Sequence, residues 1–356
     1  VVDLDGKVTT LADGYWGSEG IAWARDGRSI VYSAAGSGAD YALRSVDLEG
    51  KSRLVRSDST GLVIHDIGAD GRWLVNKYRI GFENWARVAG MERERNVSWL
   101  DSSINPTLSR DGRTLLFDEE SSHVGRNYAT CLRRLPDAPV VMLGEGQPLD
   151  LSPDGKWALA RVFDTPQRLV AYPTGAGETR ELDAGGFGNY QSAAFLPDGR
   201  RFLFCGWKTG EPGRCYVEAI DGGPATPVTP EGLFVNAEVS RDGTRVIVRD
   251  DAGRGRIFPL DGGRPIEAKG LKPEDQWIRW ADDGRSLLVF DGHELPVPVE
   301  RVDLESGERR LVRTIEPANQ RSLLTVEYVA LADDEQSYAY SVWRTQSQLF
   351  TIAGLR

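Results

Sequence analysis

Three acidic side chains occupy the same position of a repeated sequence pattern, four residues before the Asp of an Asp-Gly or related pair: Asp66, Asp150 and Glu238. If the repeats arrange this position around one axis, the carboxylates project into a shared channel. Crowded carboxylates raise one another's pKa or bind a cation such as calcium. The candidate channel residues are these acids, the His beside the first acid, and two equivalent polar residues: His65, Asp66, Thr107, Asp150, Glu238 and Arg279. The alternative is that these groups only hydrogen-bond waters and neighbouring strands.

The repeated pattern is an Asp-Gly pair followed by a short apolar run, and the eighth copy has lost its glycine. The aspartates are Asp26, Asp70, Asp111, Asp154, Asp198, Asp242, Asp283 and Asp334, spaced 44, 41, 43, 44, 44, 41 and 51 residues apart. Asp-Gly between apolar runs is a strong hairpin signal, because glycine readily adopts the positive φ of the turn. The period is typical of a four-stranded propeller blade. The sequence therefore predicts an all-β fold, a β-propeller of four-stranded antiparallel blades.

The repeats predict eight blades, with seven as the alternative, in a single β-propeller domain spanning residues 1–356. The segment Val2-Asp3-Leu4-Asp5-Gly6 has the pattern of an outer hairpin, whereas the last repeat lacks a fourth strand. We therefore expect residues 7–11 to close the last blade, so that the N- and C-terminal strands pair and the ring has no free edge. Because the chain begins in mid-blade without an initiator Met, we also expect it to be excised from a longer polypeptide.

Four tryptophans form a second candidate ligand site, on the loop face of the propeller. Trp16 precedes an inner strand, Trp85 and Trp207 follow second strands, and Trp277 starts the seventh inner strand. Both types of loop emerge on one face of a propeller, so these side chains would surround a pocket for a peptide, a sugar or another ligand with an apolar face. Packing between blades is the alternative. We favour packing for Trp277 and leave the role of Trp85 and Trp207 open.

Catalytic signatures are missing from the sequence. It has no Gly-x-Ser-x-Gly elbow, no phosphate-binding Gly-x-x-x-x-Gly-Lys-Ser/Thr loop, no His-Glu-x-x-His pair and no kinase motif. The three histidines, His65, His123 and His293, lie in different repeats without metal-ligand spacing. We therefore predict no catalytic residue and no cofactor in this chain, apart from a cation in the central channel.

Charge and hydropathy limit the partners. The net charge of -10 argues against a nucleic-acid surface, which requires clustered Lys and Arg. No apolar run approaches the roughly 20 residues that span a bilayer, so we expect a soluble domain without membrane insertion. The cellular compartment stays open between cytoplasmic and periplasmic or extracytoplasmic.

The cysteines carry little functional information. Cys131 is expected to be a small buried hydrophobe. Cys205 and Cys215 flank one loop and could face each other across a hairpin. Disulfides between adjacent strands are uncommon, so two free thiols are the expectation.

At Ser152-Pro153-Asp154-Gly155-Lys156-Trp157 the repeat resembles the TolB-type WD40-like repeat, also known as PD40. Longer segments are similar to the C-terminal propeller of bacterial, Acidobacteria-type, eukaryotic-like serine/threonine protein kinases. They include Ser98-Trp99-Leu100-Asp101, Leu143-Gly144-Glu145-Gly146 and Tyr190-Gln191-Ser192-Ala193-Ala194. The resemblance implies a propeller attached to a kinase domain, which the sequence itself lacks.

These observations favour a noncatalytic sensor or docking propeller that binds a peptide, a protein or a small molecule on its loop face and regulates an attached kinase. Two alternatives remain. One is a TolB-like scaffold that accepts a peptide at the channel mouth. The other is an enzyme, either a glycan-active propeller that uses channel carboxylates or the propeller of a serine peptidase.

Overall fold

The computed structural model describes residues 1–36, 40–182, 185–250 and 252–355. Within these residues the chain is all β, apart from one 3-10 turn at Ser122–Val124. It divides into two compact units. The first contains Val1–Gly81, Glu120–Arg126 and Trp343–Arg356, and the second contains Phe82–Glu119 and Asn127–Val342. The described residues include no helix with the length and hydropathy needed to cross a membrane.

The strands follow the repeats. The first two repeats contain β1 Gly17–Trp23, β2 Ser29–Ala35, β3 Ala42–Asp47, β4 Ser52–Arg56, β5 Gly61–Ile67, β6 Trp73–Arg87 and β7 Arg95–Asn96. The next three contain β8 Ser103–Leu108, β9 Thr114–Glu119, β10 Ala129–Arg134, β11 Val140–Glu145, β12 Gln147–Leu151, β13 Trp157–Val162, β14 Arg168–Pro173, β15 Arg180–Leu182, β16 Asn189–Phe195, β17 Arg201–Trp207, β18 Arg214–Ala219 and β19 Thr226–Pro227. The last three contain β20 Val235–Val239, β21 Arg245–Arg249, β22 Gly255–Pro259, β23 Ile266–Glu267, β24 Gln276–Trp280, β25 Ser286–Phe290, β26 Val297–Asp303, β27 Arg309–Ile315, β28 Leu323–Leu331 and β29 Tyr338–Ile352.

The Asp-Gly pairs form the turn between the first and second strand of each repeat, as predicted. In the fourth repeat Asp154 Oδ1 accepts a hydrogen bond from the backbone N–H of Lys156 at 3.1 Å, and Gly155 has φ 68°. The degenerate eighth copy keeps this geometry, because Glu335 adopts φ 51° and Asp334 Oδ1 accepts from the N–H of Gln336 at 2.8 Å. The aspartate therefore holds the turn, and the glycine makes its left-handed backbone easy to adopt.

The first unit contains one four-stranded antiparallel sheet, β1-β2-β3-β4, and a second sheet against it. The second sheet consists of β5, the first part of β6 and the last part of β29. Ser347 Oγ donates to Asn76 Oδ1 at 2.9 Å between these two long strands. A cluster that includes Leu43, Ile64 and Val75 forms the core between the two sheets.

The second unit contains five complete four-stranded sheets, formed by β8–β11, β12–β15, β16–β19, β20–β23 and β24–β27. A sixth sheet combines β28, the first part of β29, the last part of β6, and β7. The inner strands β8, β12, β16, β20, β24 and β28 contact one another in that order, and β28 in turn contacts β8. This unit is therefore a closed β-propeller with six blades.

This arrangement confirms the predicted fold class and corrects two details. The ring of the second unit is closed by six blades rather than eight. Residues 7–11 do not complete the last blade: within the described residues, Val8 forms only an isolated bridge to Val2. The sixth sheet instead obtains its outer strands from β6 and β7. Strand β6 is 15 residues long, and its last part pairs with β29 in this sheet. The prediction of a single domain stays a prediction.

The core of the second unit lies between neighbouring blades. One cluster joins Leu159 and Leu169 of one blade to Phe195, Phe202 and Phe204 of the next. The burial of each such side chain contributes about 1.5–3 kcal/mol relative to exposure. Rigid packing of this kind fixes the direction in which each inner strand presents its side chains.

The predicted free thiols of Cys205 and Cys215 are incorrect. The two cysteines pair directly across β17 and β18, and they form a disulfide with a Cα–Cα distance of 3.9 Å. The hairpin register places the two residues opposite each other, which the sequence spacing alone does not determine. Cys131 is a free, buried cysteine, as predicted.

Candidate functional site

The second unit encloses a cavity of about 320 Å³ along its axis, lined by all six inner strands. Each strand contributes the residue four positions before its turn aspartate: Thr107, Asp150, Ala194, Glu238, Arg279 and Ala330. The alignment of the repeats therefore predicts the convergence of Thr107, Asp150, Glu238 and Arg279. The cavity is at the small end of the range for ligand pockets, so it fits a small group or a chain end rather than a folded domain.

Local irregularities help to aim these side chains. In β12 the pairing with β13 shifts immediately before Asp150, and in β24 the pairing with β25 shifts immediately before Arg279. In β20 a shift precedes Glu238, and Asn236 within it has φ 50°. A β-bulge turns the following side chain relative to the regular alternation of a strand. Asparagine tolerates positive φ better than most residues, so Asn236 was the available sequence signal for this bulge.

Asp150 is anchored by backbone groups. Its Oδ1 accepts a hydrogen bond from the N–H of Leu151 at 2.8 Å, and its Oδ2 accepts one from the N–H of Phe195 on the next blade at 2.8 Å. Burial raises the pKa of Asp150 to about 6, although the two N–H groups and the charges of Arg110 and Arg241 oppose this shift. The carboxylate is thus fixed in position and costly to ionise.

Glu238 lies two blades from Asp150 around the channel and has a different environment. Burial and, to a smaller extent, the charge of Asp150 raise its pKa to about 8, although the charge of Arg241 opposes this shift. Its backbone carbonyl accepts a hydrogen bond from Trp280 Nε1 at 3.0 Å. Among the described residues, its carboxylate makes no hydrogen bond or ion pair. Glu238 is therefore the least compensated acid of the channel.

Two arginines at the channel mouth are already paired. Arg279 donates to the carbonyls of Trp280, Leu331 and Ala332 at 2.9, 3.1 and 2.8 Å. Arg241 forms an ion pair with Asp333 and a second one with Asp282, at 3.3 Å between Nε and Oδ1. These guanidinium groups bridge neighbouring blades and do not neutralise Glu238.

Sequence reasoning missed the mouth residues Arg110, Arg241, Asp282 and Asp333. A signal existed, because all four occupy the position directly before the turn aspartate in their repeats. Ser192 was also missed. It lines the cavity two residues before Ala194, and its Oγ is buried without a hydrogen-bond partner in the part of the chain that the structure describes.

The structure brings together four of the six predicted channel residues, and places His65 and Asp66 elsewhere. Both belong to β5 of the first unit, where they are exposed. Asp66 Oδ1 accepts a hydrogen bond from the N–H of Ile67 at 2.8 Å. The second repeat does not contribute an inner strand to the six-bladed ring, so these side chains do not line its channel.

The four predicted loop tryptophans have separate environments. Trp16 belongs to the first unit and is 39% exposed. Trp85 packs against the core of the sixth blade, and its Nε1 donates to Glu83 at 3.0 Å. Trp207 packs against Phe234, with ring centroids 5.6 Å apart. Trp277 packs within a different core cluster, with the guanidinium of Arg249 4.7 Å from its ring centroid. Trp85, Trp207 and Trp277 therefore pack against neighbouring side chains, whereas Trp16 is exposed.

The donor set of the channel does not resemble a metal centre. Across residues 1–36, 40–182, 185–250 and 252–355, no group of three or more His, Cys, Asp or Glu side chains is arranged to hold a metal ion. Asp150 and Glu238 are two carboxylates, whereas calcium takes six to eight oxygen ligands. The channel is better described as a polar cavity with an acidic interior and a mouth of paired charges.

Comparisons with known proteins find similarity at the level of solved structures. No protein-family model matches the chain, and no curated protein matches it. Similar solved structures include TolB from Acinetobacter baumannii, with 17% identity, a TM-score of 0.38 and coverage of 74% of this chain and 60% of that one. A TolB from Agrobacterium tumefaciens has 16% identity, a TM-score of 0.42 and coverage of 82% and 94%. A nidogen/laminin complex has 14% identity, a TM-score of 0.48 and coverage of 67% and 94%. The match therefore spans less than two thirds of the first of these chains.

Proposed function

We propose that this protein is a noncatalytic binding propeller whose six-bladed unit accepts part of a peptide, protein or small-molecule ligand in its central channel. The observation that carries the proposal is the cavity itself. All six inner strands contribute to it, and it holds two acids, of which Glu238 has no hydrogen bond or ion pair at its carboxylate among the described residues. Buried charged groups without partners are costly, so a molecule that compensates them would bind favourably.

The absence of an enzymatic role is part of the same proposal. The cavity lining includes serines and carboxylates but no His or Cys. A nucleophilic serine requires an adjacent base, which this lining does not supply in a recognisable form. The alternative is a glycan-active channel in which Glu238 acts as an acid. A hydrolysis assay on a panel of glycosides and peptides tests this alternative. If the wild type hydrolyses a substrate and Glu238→Gln does not, the function of the channel is catalysis rather than binding.

A role in kinase regulation rests on the resemblance of several sequence segments alone, and we propose it as the biological setting of the binding propeller. In a polypeptide that joins this propeller to a kinase domain, a channel ligand is expected to change the rate of autophosphorylation. The same ligand should not change the rate of autophosphorylation in a variant whose channel is filled by Ala194→Leu. An equal change of this rate in the wild type and the variant would argue against a regulatory propeller.

The binding proposal is tested with an array of immobilised dodecapeptides and the labelled protein. Ala194→Leu adds three heavy atoms to a small residue of the channel lining, and it should abolish the peptide signals that depend on the cavity. Ala176→Leu makes the same change in an exposed turn and serves as the control. Thermal unfolding of both variants checks that they remain folded. Peptide signals that persist in a folded Ala194→Leu protein would refute a channel site.

A further inference from the structure

We propose that the channel binds a primary ammonium group, carried by a peptide, between Asp150 and Glu238. The inference deepens the binding function proposed above and rests on it. It names the chemistry of the ligand: an organic cation, which is either a lysine side chain or the free N-terminus of a peptide.

The geometry leaves room for such a group. Asp150 belongs to β12 and Glu238 to β20, and the blade between them presents Ser192 and Ala194 from β16. Ala194 has the smallest side chain of the three blades at this position, so a space remains between the two acids. Ser192 belongs to the cavity lining, but its Oγ is buried beneath the surface of the cavity. A primary ammonium has three N–H donors, and the carboxylates of Asp150 and Glu238 supply the acceptors that face the cavity.

The charges around the acids favour a cation over an anion. The ionisable groups that face the cavity are Arg110, Asp150, Glu238, Arg241, Arg279 and Asp333. Arg241 and Arg279 are held by Asp282, Asp333 and backbone carbonyls, and Arg110 is exposed at the mouth. None of these guanidinium groups donates a hydrogen bond to Asp150 or Glu238 among the described residues. Since burial and mutual repulsion raise the pKa of Glu238 to about 8, a bound ammonium would restore its ionised form and release a proton near pH 7.

A metal ion fits this site less well than an ammonium group. Two carboxylates supply too few oxygens for calcium. An ammonium group has only three N–H donors, so the same two carboxylates offer enough acceptors for it. The size of the cavity also agrees, because it accommodates a side chain or a chain end but no folded partner.

The test uses titration calorimetry of the whole chain with three blocked or free tripeptides. Acetyl-Ala-Lys-Ala-amide carries a lysine ammonium, Ala-Ala-Ala-amide carries only an N-terminal ammonium, and acetyl-Ala-Ala-Ala-amide carries neither. We expect one of the first two to bind, the third to fail, and binding to release protons, seen as a heat that depends on the ionisation enthalpy of the buffer. Glu238→Gln should weaken binding at least tenfold, whereas Glu211→Gln, in an exposed loop, should leave it unchanged.

The pH dependence separates the two sources of ammonium. Affinity for the lysine peptide should rise steadily from pH 6 to 8.5 as the acids ionise. Affinity for the N-terminal peptide should pass through a maximum, because an α-amino group loses its proton near pH 7.7–8.0.

Other outcomes would overturn the ammonium site. Equal binding of the doubly blocked peptide would show that the cation is not recognised, and it would leave the channel function intact if Ala194→Leu still abolished binding. Binding of calcium chloride that Glu238→Gln removes, without binding of either ammonium peptide, would assign the acids to a metal. If neither charged peptide binds and Ala194→Leu leaves the peptide array unchanged, both the ammonium site and the channel function fail.

Discussion

The ionisation of Glu238 should oppose folding, and its removal should stabilise the protein at alkaline pH. The pKa of this carboxyl is raised from its ordinary value of 4.5 to about 8, first by burial and then by the charge of Asp150. The folded protein therefore retains a proton that the unfolded chain releases between pH 4.5 and 8. Stability must fall as the pH rises through this window, because the folded state binds more protons than the unfolded state.

The magnitude follows from the width of the window. A tenfold change in proton affinity corresponds to about 1.4 kcal/mol, so the folded state is penalised by roughly 3 kcal/mol at pH 7 relative to a protein without this acid. Glu238→Gln keeps the shape of the side chain and removes the charge. We expect the variant to be more stable than the wild type by about 4–5 kcal/mol at pH 8.5 and nearly equal to it at pH 4.5.

Urea unfolding at a series of pH values between 4.5 and 8.5 measures this difference. The wild type and Glu238→Gln should have midpoints that separate as the pH rises. Glu211→Gln, whose side chain is exposed, should follow the wild type throughout. If the curves of the wild type and Glu238→Gln remain parallel over the whole range, Glu238 ionises as freely as an exposed acid. The description of the channel as a site of uncompensated charge would then be wrong.

Three further perturbations test the packing that holds the propeller together. Gly292→Ala should destabilise the protein by several kcal/mol in thermal unfolding, since its Cβ would lie 1.8 Å from the carbonyl oxygen of Val326, whereas Gly175→Ala, with open space, should be neutral. Arg309→Met should cost about 3–5 kcal/mol in urea unfolding, because it leaves the buried carboxylate of Asp275 without its bidentate partner at 2.8 and 2.9 Å. Reduction of the β17–β18 disulfide should lower the stability by about 2–3 kcal/mol in the same assay, given its short loop.

The parts of the fold that depend on local sequence were predictable. The Asp-Gly turns, the four-stranded repeats and the convergence of Thr107, Asp150, Glu238 and Arg279 all follow from the spacing of one motif. Each of these features is decided within about 45 residues, because the turn aspartate accepts hydrogen bonds from its own loop and the apolar run follows at once.

The number of blades in the ring was not predictable in this way. Consecutive repeats have nearly equivalent patterns, so the sequence cannot show which of them close on each other. The closure of the ring with six blades depends on the pairing of β6 with β29, which are each 15 residues long. In the second unit Ser341 Oγ donates to Asn84 Oδ1 at 2.6 Å where these strands pair. Such pairing joins residues more than 250 positions apart, and no local pattern encodes it. As a result, Asp66 was grouped with acids whose channel it does not share.

The charge of the channel illustrates a related limit of sequence reasoning. The aligned positions predict Arg279 as a channel residue, and it does lie in the channel. Its donors, however, are occupied by the carbonyls of Trp280, Leu331 and Ala332. An arginine lowers the cost of a neighbouring buried acid most effectively when its hydrogen bonds are directed at that acid. The uncompensated state of Glu238 therefore depends on where each donor points, and this is a property of the assembled ring that the sequence pattern does not contain.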